Sequence, residues 1–325
     1  MVSWITSRKL VKGCRSPVVL LFGIAALPWQ GADASDPGRR SLREALIHDE
    51  EKPAEEGLEG HFEDEMTVSA RADDLTGVAL SATEGATGSQ DLEKRPILRA
   101  GEIIETVPGA IATQHSGGGK ANQYFLRGFN LDHGTDLSLR VDGMPVNLPT
   151  HGHGQGYADM NFLIPELIDS VQFRKGTYFA GVGDFSAAGS SDIRLKSELA
   201  ENEVRVGLGS FDFQRALLLA STSTGGGELL GAFDYNHYDG PWDKPDDFEK
   251  INGLLRYSRS GELHRWVLTA MAYEGDWQST DQIPLRTAGV TVPPFGFVDP
   301  FPNGDSSRYS LSGEVHWHGE SSLTT

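Results

Sequence analysis

The sequence has almost no cysteine, no long hydrophobic run and a shortage of positive charge. Its one cysteine, Cys14, lies near the N-terminus, so disulfide bonds cannot hold the rest of the chain together. The apolar run at residues 18–27 is too short for a membrane-spanning helix, and no later segment reaches that length. The formal net charge of −18 argues against nucleic acid and anionic lipid headgroups as partners. These features exclude a disulfide-bonded scaffold, a helical membrane protein and a nucleic-acid-binding protein.

The first 34 residues have the pattern of a secretory signal peptide. Basic residues precede the apolar run, and the small residues Ala32 and Ala34 follow it. We expect cleavage after Ala34, with residues 1–34 taking no part in the fold; the alternative is an uncleaved membrane anchor. Residues 35–64 are acidic and poor in aromatic side chains, which predicts a disordered linker.

From Glu203 onward, apolar and polar residues alternate with a period of two. Four regular runs of this kind start near Val204, Phe233, Ile251 and Tyr309, with less regular runs at 213–222 and 262–277. Short connections alternate with long polar ones, as in a transmembrane β-barrel. A chain without membrane-spanning helices can satisfy the hydrogen bonds of its backbone in lipid only as a closed β-barrel. The alternative is a soluble antiparallel sandwich.

Glycine turns mark the segment before this region. Three predicted strands each end at such a turn: 124–126 at Arg127 and Gly128, 137–141 at Asp142 and Gly143, and 170–174 at Lys175 and Gly176. Helical patterning is predicted for residues 86–109 and 165–169, with Pro108 and Gly109 ending the first stretch. Residues 184–191 are predicted to form a loop before a strand at 193–196.

These motifs, in this order, resemble the plug domain of TonB-dependent outer-membrane receptors. The resemblance is most specific over residues 124–196 and weaker at 183–196, where Ser190 and Ser191 depart from the usual pattern. It implies an α+β plug domain at 71–198, followed from residue 199 by an antiparallel transmembrane β-barrel. It also implies that the plug closes the lumen and that Arg127 and Arg140 meet carboxylates on the inner wall of the barrel; the alternative is that these arginines contact the ligand.

A short β-prone segment follows the acidic linker and resembles a TonB box. Its residues are Glu65, Met66, Thr67, Val68, Ser69 and Ala70. Such a segment binds by adding a strand to the exposed sheet edge of its partner. The resemblance implies TonB as the periplasmic energy-coupling partner and outer-membrane lipid around the barrel. The alternative is that this segment is the first strand of the plug.

The alternating region is short for a complete barrel. We count about six strands after residue 199, whereas a plugged lumen of this kind takes about 22. Residues 199–325 are therefore expected to be the N-terminal part of a barrel, in a truncated gene product or a fragment. Trp242, Trp277 and Trp317 lie near predicted strand ends, as an interfacial aromatic girdle requires.

The candidate ligand site follows the second glycine turn. Glycines there alternate with His151, His153, Gln155 and Tyr157, which share one face if the backbone is extended. His133, in the preceding loop, is a further candidate. Neutral imidazoles bind zinc, copper and nickel, so His151 and His153 are candidate metal ligands. The alternative is that these groups bond the barrel wall or fix the loop.

The resemblance implies a receptor that takes up a scarce nutrient, with a ferric siderophore or other metal chelate as the leading substrate and no cofactor. The alternatives are a receptor for free zinc, copper or nickel ions and a non-transporting plug-like binding or signalling protein. An enzyme is not expected. The spacing of His151 and His153 occurs in (β/α)₈ hydrolases, but the strand–helix repeat of that fold is missing. Residues 116–120 lack the spacing of a phosphate-binding loop.

Overall fold

The computed structural model describes residues 78–79, 82–114, 117–279 and 282–317. The predicted signal peptide, the acidic linker and the TonB-box-like segment 65–70 lie outside the described residues. Among those that are described, no helix is long and apolar enough to cross a membrane.

Short strands make up most of the first region, here named the plug region. Its described strands are β1 (Val78–Ala79), β2 (Glu84–Gly88), β3 (Ala110–Thr113), β4 (Gln123–Leu126), β5 (Phe129–Asn130), β6 (Leu137–Val141), β7 (Met144–Pro145), β8 (Ile168–Lys175) and β9 (Gly189–Leu195). Its helical segments are α1 (Ser89–Leu92) and two 3-10 helices, Ala100–Thr106 and Pro165–Leu167. One sheet has the order β1-β2-β8-β9-β6-β7, with β6 and β9 parallel, and β3, β4 and β5 form a second sheet.

A six-stranded antiparallel sheet, here named the wall sheet, follows the plug region. Its strands are β10 (Glu203–Leu208), β11 (Gln214–Thr224), β12 (Gly227–Tyr238), β13 (Phe248–Ser260), β14 (His264–Gln278) and β15 (Asn303–Trp317). Each strand pairs with the next along the chain, and β10 and β15 form the two edges of an open sheet. The predicted fold class, a plug followed by about six antiparallel strands of an incomplete barrel, is confirmed.

The wall sheet has one face against the plug region and one turned outward. Along β13, Asn252 and Arg256 are buried, whereas Ile251 and Leu255 are 43% and 48% exposed. The outward face is rich in large apolar side chains, including Val204, Val206, Leu208, Phe233, Leu268 and Leu311. On the inner face, several wall residues join the hydrophobic core of the plug region: Leu217, Leu219, Leu230, Leu254 and Tyr273.

The helical prediction for residues 86–109 is correct only in part. Residues 86–88 belong to β2, because they pair with residues 170–172 of β8. The last part of the predicted stretch is the 3-10 helix Ala100–Thr106, and Gly109 after it has a φ of +84°. Strand pairing in the folded protein therefore overrides the local helical pattern.

The loop predicted at 184–191 is wrong at its end. Gly189 and Ser191 are part of β9, which pairs with both β8 and β6. A Cβ atom at Gly189 would collide with the carbonyl oxygen of Arg174, and the φ of Gly189 is +151°. This glycine therefore permits the close approach of β8 and β9.

The first two predicted glycine turns are two-residue hairpin turns, which join β4 to β5 and β6 to β7. Arg127 and Gly128 have φ angles of +53° and +80°, and Asp142 and Gly143 have +48° and +75°. Positive φ at both central residues is the type I′ geometry that matches the twist of a two-residue hairpin. Gly176, in the third predicted turn, also has a positive φ of +88°.

The prediction that Trp277 belongs to an outward aromatic girdle is wrong. Its side chain is 9% exposed and lies on the inner face of β14, next to Gly117 and Gly119 of the plug region. Its indole N–H donates to Ser279 at 3.1 Å. Trp317, at the end of β15, is exposed as predicted.

Candidate functional site

The two ends of the wall sheet differ in the length of their connections. Long loops at 239–247 and 279–302 lie at one end, and short turns at 225–226 and 261–263 lie at the other. The plug loop 117–121 lies at the long-loop end, because a Cβ atom at Gly119 would overlap the Trp277 ring near the end of β14. The hairpin at Asp142 reaches toward the short-turn end, where it meets Arg256.

Three histidines and one tyrosine of the plug form a group of rings, here named the imidazole cluster. Its members are His133, His151, His153 and Tyr157. The centroids of His133 and His153 are 4.5 Å apart, edge to face, and His151 stacks on Tyr157 at 3.9 Å. The ring centroid of Tyr157 also lies 5.5 Å from that of His133 and 6.0 Å from that of His153. The structure thus unites four of the five predicted ligand-facing residues.

The predicted extended stripe is wrong as a backbone geometry. Residues 151–157 form bends and turns, and Gly156 has a φ of +82°. The rings meet because the loop folds back on His133. Gln155 contributes its backbone carbonyl, which accepts a hydrogen bond from the Thr135 hydroxyl at 2.9 Å.

Asn147 holds this loop in place. Its buried side-chain nitrogen lies 2.9 Å from the carbonyl oxygens of Gly134, Leu137 and Gly156. Its side-chain oxygen accepts from the Leu139 backbone at 2.7 Å. One side chain therefore joins β6, the His133 loop and the glycine-rich loop. Nothing in the sequence pattern indicated its three partners.

His133 is the buried member of the imidazole cluster. Its Nδ1 lies 2.9 Å and 3.0 Å from the carbonyl oxygens of Ala121 and Asn122, so Nδ1 carries the proton and donates. Burial, against the opposing charge of Asp132, lowers the pKa of the His133 imidazole to about 4. At neutral pH the ring is therefore neutral, and Nε2 is its basic nitrogen.

Tyr157 is fixed from the other side of the cluster. Its hydroxyl oxygen accepts from the Ala121 backbone N–H at 3.0 Å. Burial raises the pKa of the Tyr157 phenol to about 12, so the phenol stays protonated at neutral pH. His133 and Tyr157 are thus both hydrogen-bonded to the backbone of the plug segment that follows Gly119.

A possible cation-binding group lies at the edge of this cluster. Ligand atoms of Asp132, His133 and His153 lie within 4.8 Å of one another. His151, predicted as a ligand with His153, is not in this group; its Nδ1 accepts from the His153 backbone at 3.1 Å. Asp132 was not predicted as a ligand, and its position directly before His133 is the signal that could have indicated it.

Arg127 and Arg140 do not make the wall contacts expected of them. Among the described residues, Arg127 donates to the carbonyl of Ala82 at 3.2 Å, and Arg140 donates to that of Val182 at 2.8 Å. Both partners belong to the plug region. The expected pairing with wall carboxylates is therefore not found in the described part of the chain.

Two of the ion pairs between plug and wall have the opposite polarity, whereas Arg194 of β9 lies 3.6 Å from Glu314 of β15. Asp142 accepts from Arg256 of β13, and both side chains are buried. Burial raises the pKa of the Asp142 carboxyl, although Arg256 and the Leu195 backbone N–H oppose that shift. The sequence did not predict that plug carboxylates would face wall arginines. Its alternating pattern does not show which set of residues faces inward.

Glu166 makes the second ion pair between plug and wall. Its two oxygens accept from Arg215 of β11 at 2.8 Å and 2.9 Å, a bidentate arrangement. Arg205 of β10 adds a contact at 3.0 Å. Burial alone would raise the pKa of the Glu166 carboxyl, but the hydrogen bonds and charges of the arginines lower it overall.

Residues 79–190 match the family model described as the TonB-dependent Receptor Plug Domain. The chain carries a TonB-dependent receptor plug domain. With the wall sheet, it has the plug and partial barrel of a TonB-dependent receptor.

Solved structures of three receptors share this fold. The copper transporter OprC is 21% identical, with a TM-score of 0.54, over 76% of this chain and 36% of that one. The ferric citrate transporter FecA in its unliganded form is 14% identical, with a TM-score of 0.61, over 73% of this chain and 37% of that one. FpvA of P. aeruginosa bound to heterologous pyoverdines is 16% identical, with a TM-score of 0.58, over 73% of this chain and 32% of that one.

These identities show a common fold and no more. This chain matches less than two fifths of the length of each of these three structures.

Proposed function

We propose that this receptor takes up a metal chelate across the outer membrane, with energy supplied through TonB. The observation that carries the proposal is the position of the imidazole cluster. It lies at the long-loop end of a plug that ion pairs hold against the wall sheet. Rings with lone pairs at this end of a plug suit a metal-containing ligand.

The outward face of the wall sheet supports an outer-membrane location. Its exposed apolar side chains would form a large patch in water, whereas lipid would cover it. The long loops are then the extracellular ones and the short turns the periplasmic ones. The predicted signal peptide at 1–34 would supply export.

The contacts between plug and wall support energised uptake. A solute crosses the lumen only if the plug moves, and the Asp142–Arg256 and Glu166–Arg215 pairs resist that movement. The outer membrane has no nucleotide supply of its own, so the work would arrive mechanically from TonB bound to residues 65–70.

Ferric siderophores remain the leading class of chelate. Two of the similar structures are a ferric citrate transporter and FpvA bound to pyoverdines. A second candidate is a free zinc, copper or nickel ion, which the Asp132, His133 and His153 group favours. His151, Gln155 and Tyr157 complete the proposed ligand-facing surface.

Metal accumulation in cells that produce the receptor tests this function. Iron offered as a siderophore complex and free zinc, copper and nickel would each be measured by mass spectrometry, with and without TonB. We expect accumulation of at least one metal that needs both the receptor and TonB. Binding without accumulation would instead support a non-transporting binding or signalling protein.

A further inference from the structure

We propose that Asp132, His133 and His153 form a binding site for one divalent transition-metal ion of the zinc, copper and nickel class. The sequence pointed to His151 and His153 as the pair of ligands, whereas the structure points to a different set. That this site contacts transported cargo rests on the proposed function, but metal binding itself does not.

The three side chains already face a common volume. One ligand atom of each lies within 4.8 Å of the others, and Nε2 of His133 is 3.8 Å from Asp132 Oδ1. Imidazole and carboxylate ligands bind zinc at roughly 2.0–2.2 Å, so tetrahedral ligands lie somewhat closer together than these atoms. A small rotation of the two exposed side chains, Asp132 and His153, would close the site.

His133 supplies a fixed ligand atom. The ring is buried, and its Nδ1 proton is held by the carbonyl oxygens of Ala121 and Asn122. This is how protein histidines are oriented for metal binding: one ring nitrogen donates to a carbonyl and the other presents its lone pair. The Nε2 nitrogen faces Asp132 and is therefore the ligand atom.

The loop carrying His153 is held close to this anchor. Asn147 binds the carbonyl of Gly156, and Thr135 binds that of Gln155. A Cβ atom at Gly154 would lie 3.4 Å from Asp132 Oδ2, so the glycine leaves room for the carboxylate beside the loop. The glycine-rich sequence thus gives His153 access to Asp132 and His133.

His151 is engaged elsewhere. Its Nδ1 accepts the backbone N–H of His153, and its ring lies flat on Tyr157 with 10° between the planes. Because Nδ1 accepts, Nε2 carries the proton of the neutral ring, so binding a metal at either nitrogen would break that hydrogen bond. His151 therefore stabilises the loop conformation and is not one of the ligands.

Cobalt(II) titration of the full receptor chain in detergent tests the site. Cobalt(II) replaces zinc and reports its ligands through visible absorption. The titration would use a His237→Gln background, since Asp212, His237 and Asp239 are a second group within 4.8 Å at the long-loop end. We expect one equivalent of cobalt(II) to bind, with a visible spectrum typical of a low coordination number.

Substitutions then assign the ligands. His153→Gln and Asp132→Asn should each weaken cobalt binding by about 10-fold or more. His151→Gln should weaken it less than His153→Gln does, and the exposed control His264→Gln should change it less than about twofold. Asp132 and His153 are on the surface, so these variants are expected to fold; retention of the native thermal transition verifies this. Absence of cobalt binding, or loss with His151→Gln and retention with His153→Gln, would overturn the proposal.

The two proposals fail separately. The metal site would be rejected, and the transport function kept, by two results together. The parent chain would bind no cobalt, and TonB-dependent uptake would persist in the Asp132→Asn/His153→Gln double variant. Cobalt binding that follows the expected pattern, without any TonB-dependent accumulation, would keep the site and reject the transport function.

Discussion

Asp142 at the tip of a plug hairpin is paired with Arg256 of the wall sheet, and both side chains are almost fully buried. Asp142 also accepts the Leu195 backbone N–H at 3.2 Å, and Arg256 also donates to Thr269 at 3.1 Å. The pair therefore joins two plug strands to two wall strands. Because each charge depends on the other, it fixes the position of the plug.

Removing one charge of this pair is expected to destabilise the receptor. Arg256→Met leaves the Asp142 carboxylate buried without its cation, which typically costs about 3–5 kcal/mol. The Asp142→Asn/Arg256→Met double variant should lose much less than the sum of the single changes. Asparagine tolerates the positive φ of residue 142, so the hairpin itself is preserved. Thermal unfolding of the parent, the two single variants and the double variant measures the coupling between the two side chains. Additive losses of stability would show that they act independently.

Asn147 is expected to hold the ligand-facing loop. Asn147→Ala removes a buried side chain that contacts three carbonyl oxygens, at a cost of about 1–3 kcal/mol. Hydrogen exchange at residues 148–157 should accelerate in this variant. Asn202→Ala, at an exposed position before β10 where the side chain accepts the Ser221 backbone N–H, is the matched control and should leave that exchange unchanged. Equal protection in both variants would mean that Asn147 does not hold the loop.

Gly189 is expected to tolerate no side chain. Gly189→Ala places a Cβ atom against the Arg174 carbonyl at a positive φ, so β8 and β9 must separate. We expect a loss of roughly 2 kcal/mol or more, seen as a lower midpoint of thermal unfolding. Gly181→Ala is the control, because a Cβ there meets nothing within 4 Å. A normal midpoint for Gly189→Ala would contradict the packing described for these strands.

Asp246, in the long loop before β13, is expected to weaken the fold at neutral pH. Burial raises the pKa of its carboxyl to about 6, although hydrogen bonds from Gly118 and Trp242 oppose the shift. The folded state therefore holds this proton more tightly than the unfolded state, whose pKa is 3.8. Stability from this group is present at about pH 4 and is lost as the pH rises through 6.

Asp246→Asn should consequently raise the free energy of unfolding at pH 7 by up to about 3 kcal/mol, with the gain vanishing near pH 4. Denaturant unfolding at several pH values measures this difference. Asp243→Asn, on the exposed side of the same loop, serves as the control. A gain that is the same at pH 4 and pH 7 would show that titration of Asp246 is not its cause.

The sequence predicted the elements whose pattern is local. The strand at Leu137–Val141 has the predicted bounds, and the period-two runs became β10–β15, because alternating faces leave a direct trace in the residue order. The hairpin turns were predictable for the same reason, since Gly128 and Gly143 mark positive φ.

What the sequence did not predict depends on contacts between distant residues. Asp132 joins His153 because Asn147 folds the loop back, and Trp277 is buried because plug glycines lie against it. Residues 86–88 form a strand because β8 lies beside them. None of these partners is near in sequence, so local patterns carry no sign of them.

The proposed uptake depends on energy coupling through residues 65–70. Val68→Pro removes a backbone N–H from the TonB-box-like segment, whereas Val68→Thr keeps that donor and the branched side chain. The decisive measurement is the initial rate of TonB-dependent metal uptake by cells producing equal amounts of each variant. We expect Val68→Pro to abolish energised uptake and Val68→Thr to retain it. Equal rates for the two variants would contradict this expectation.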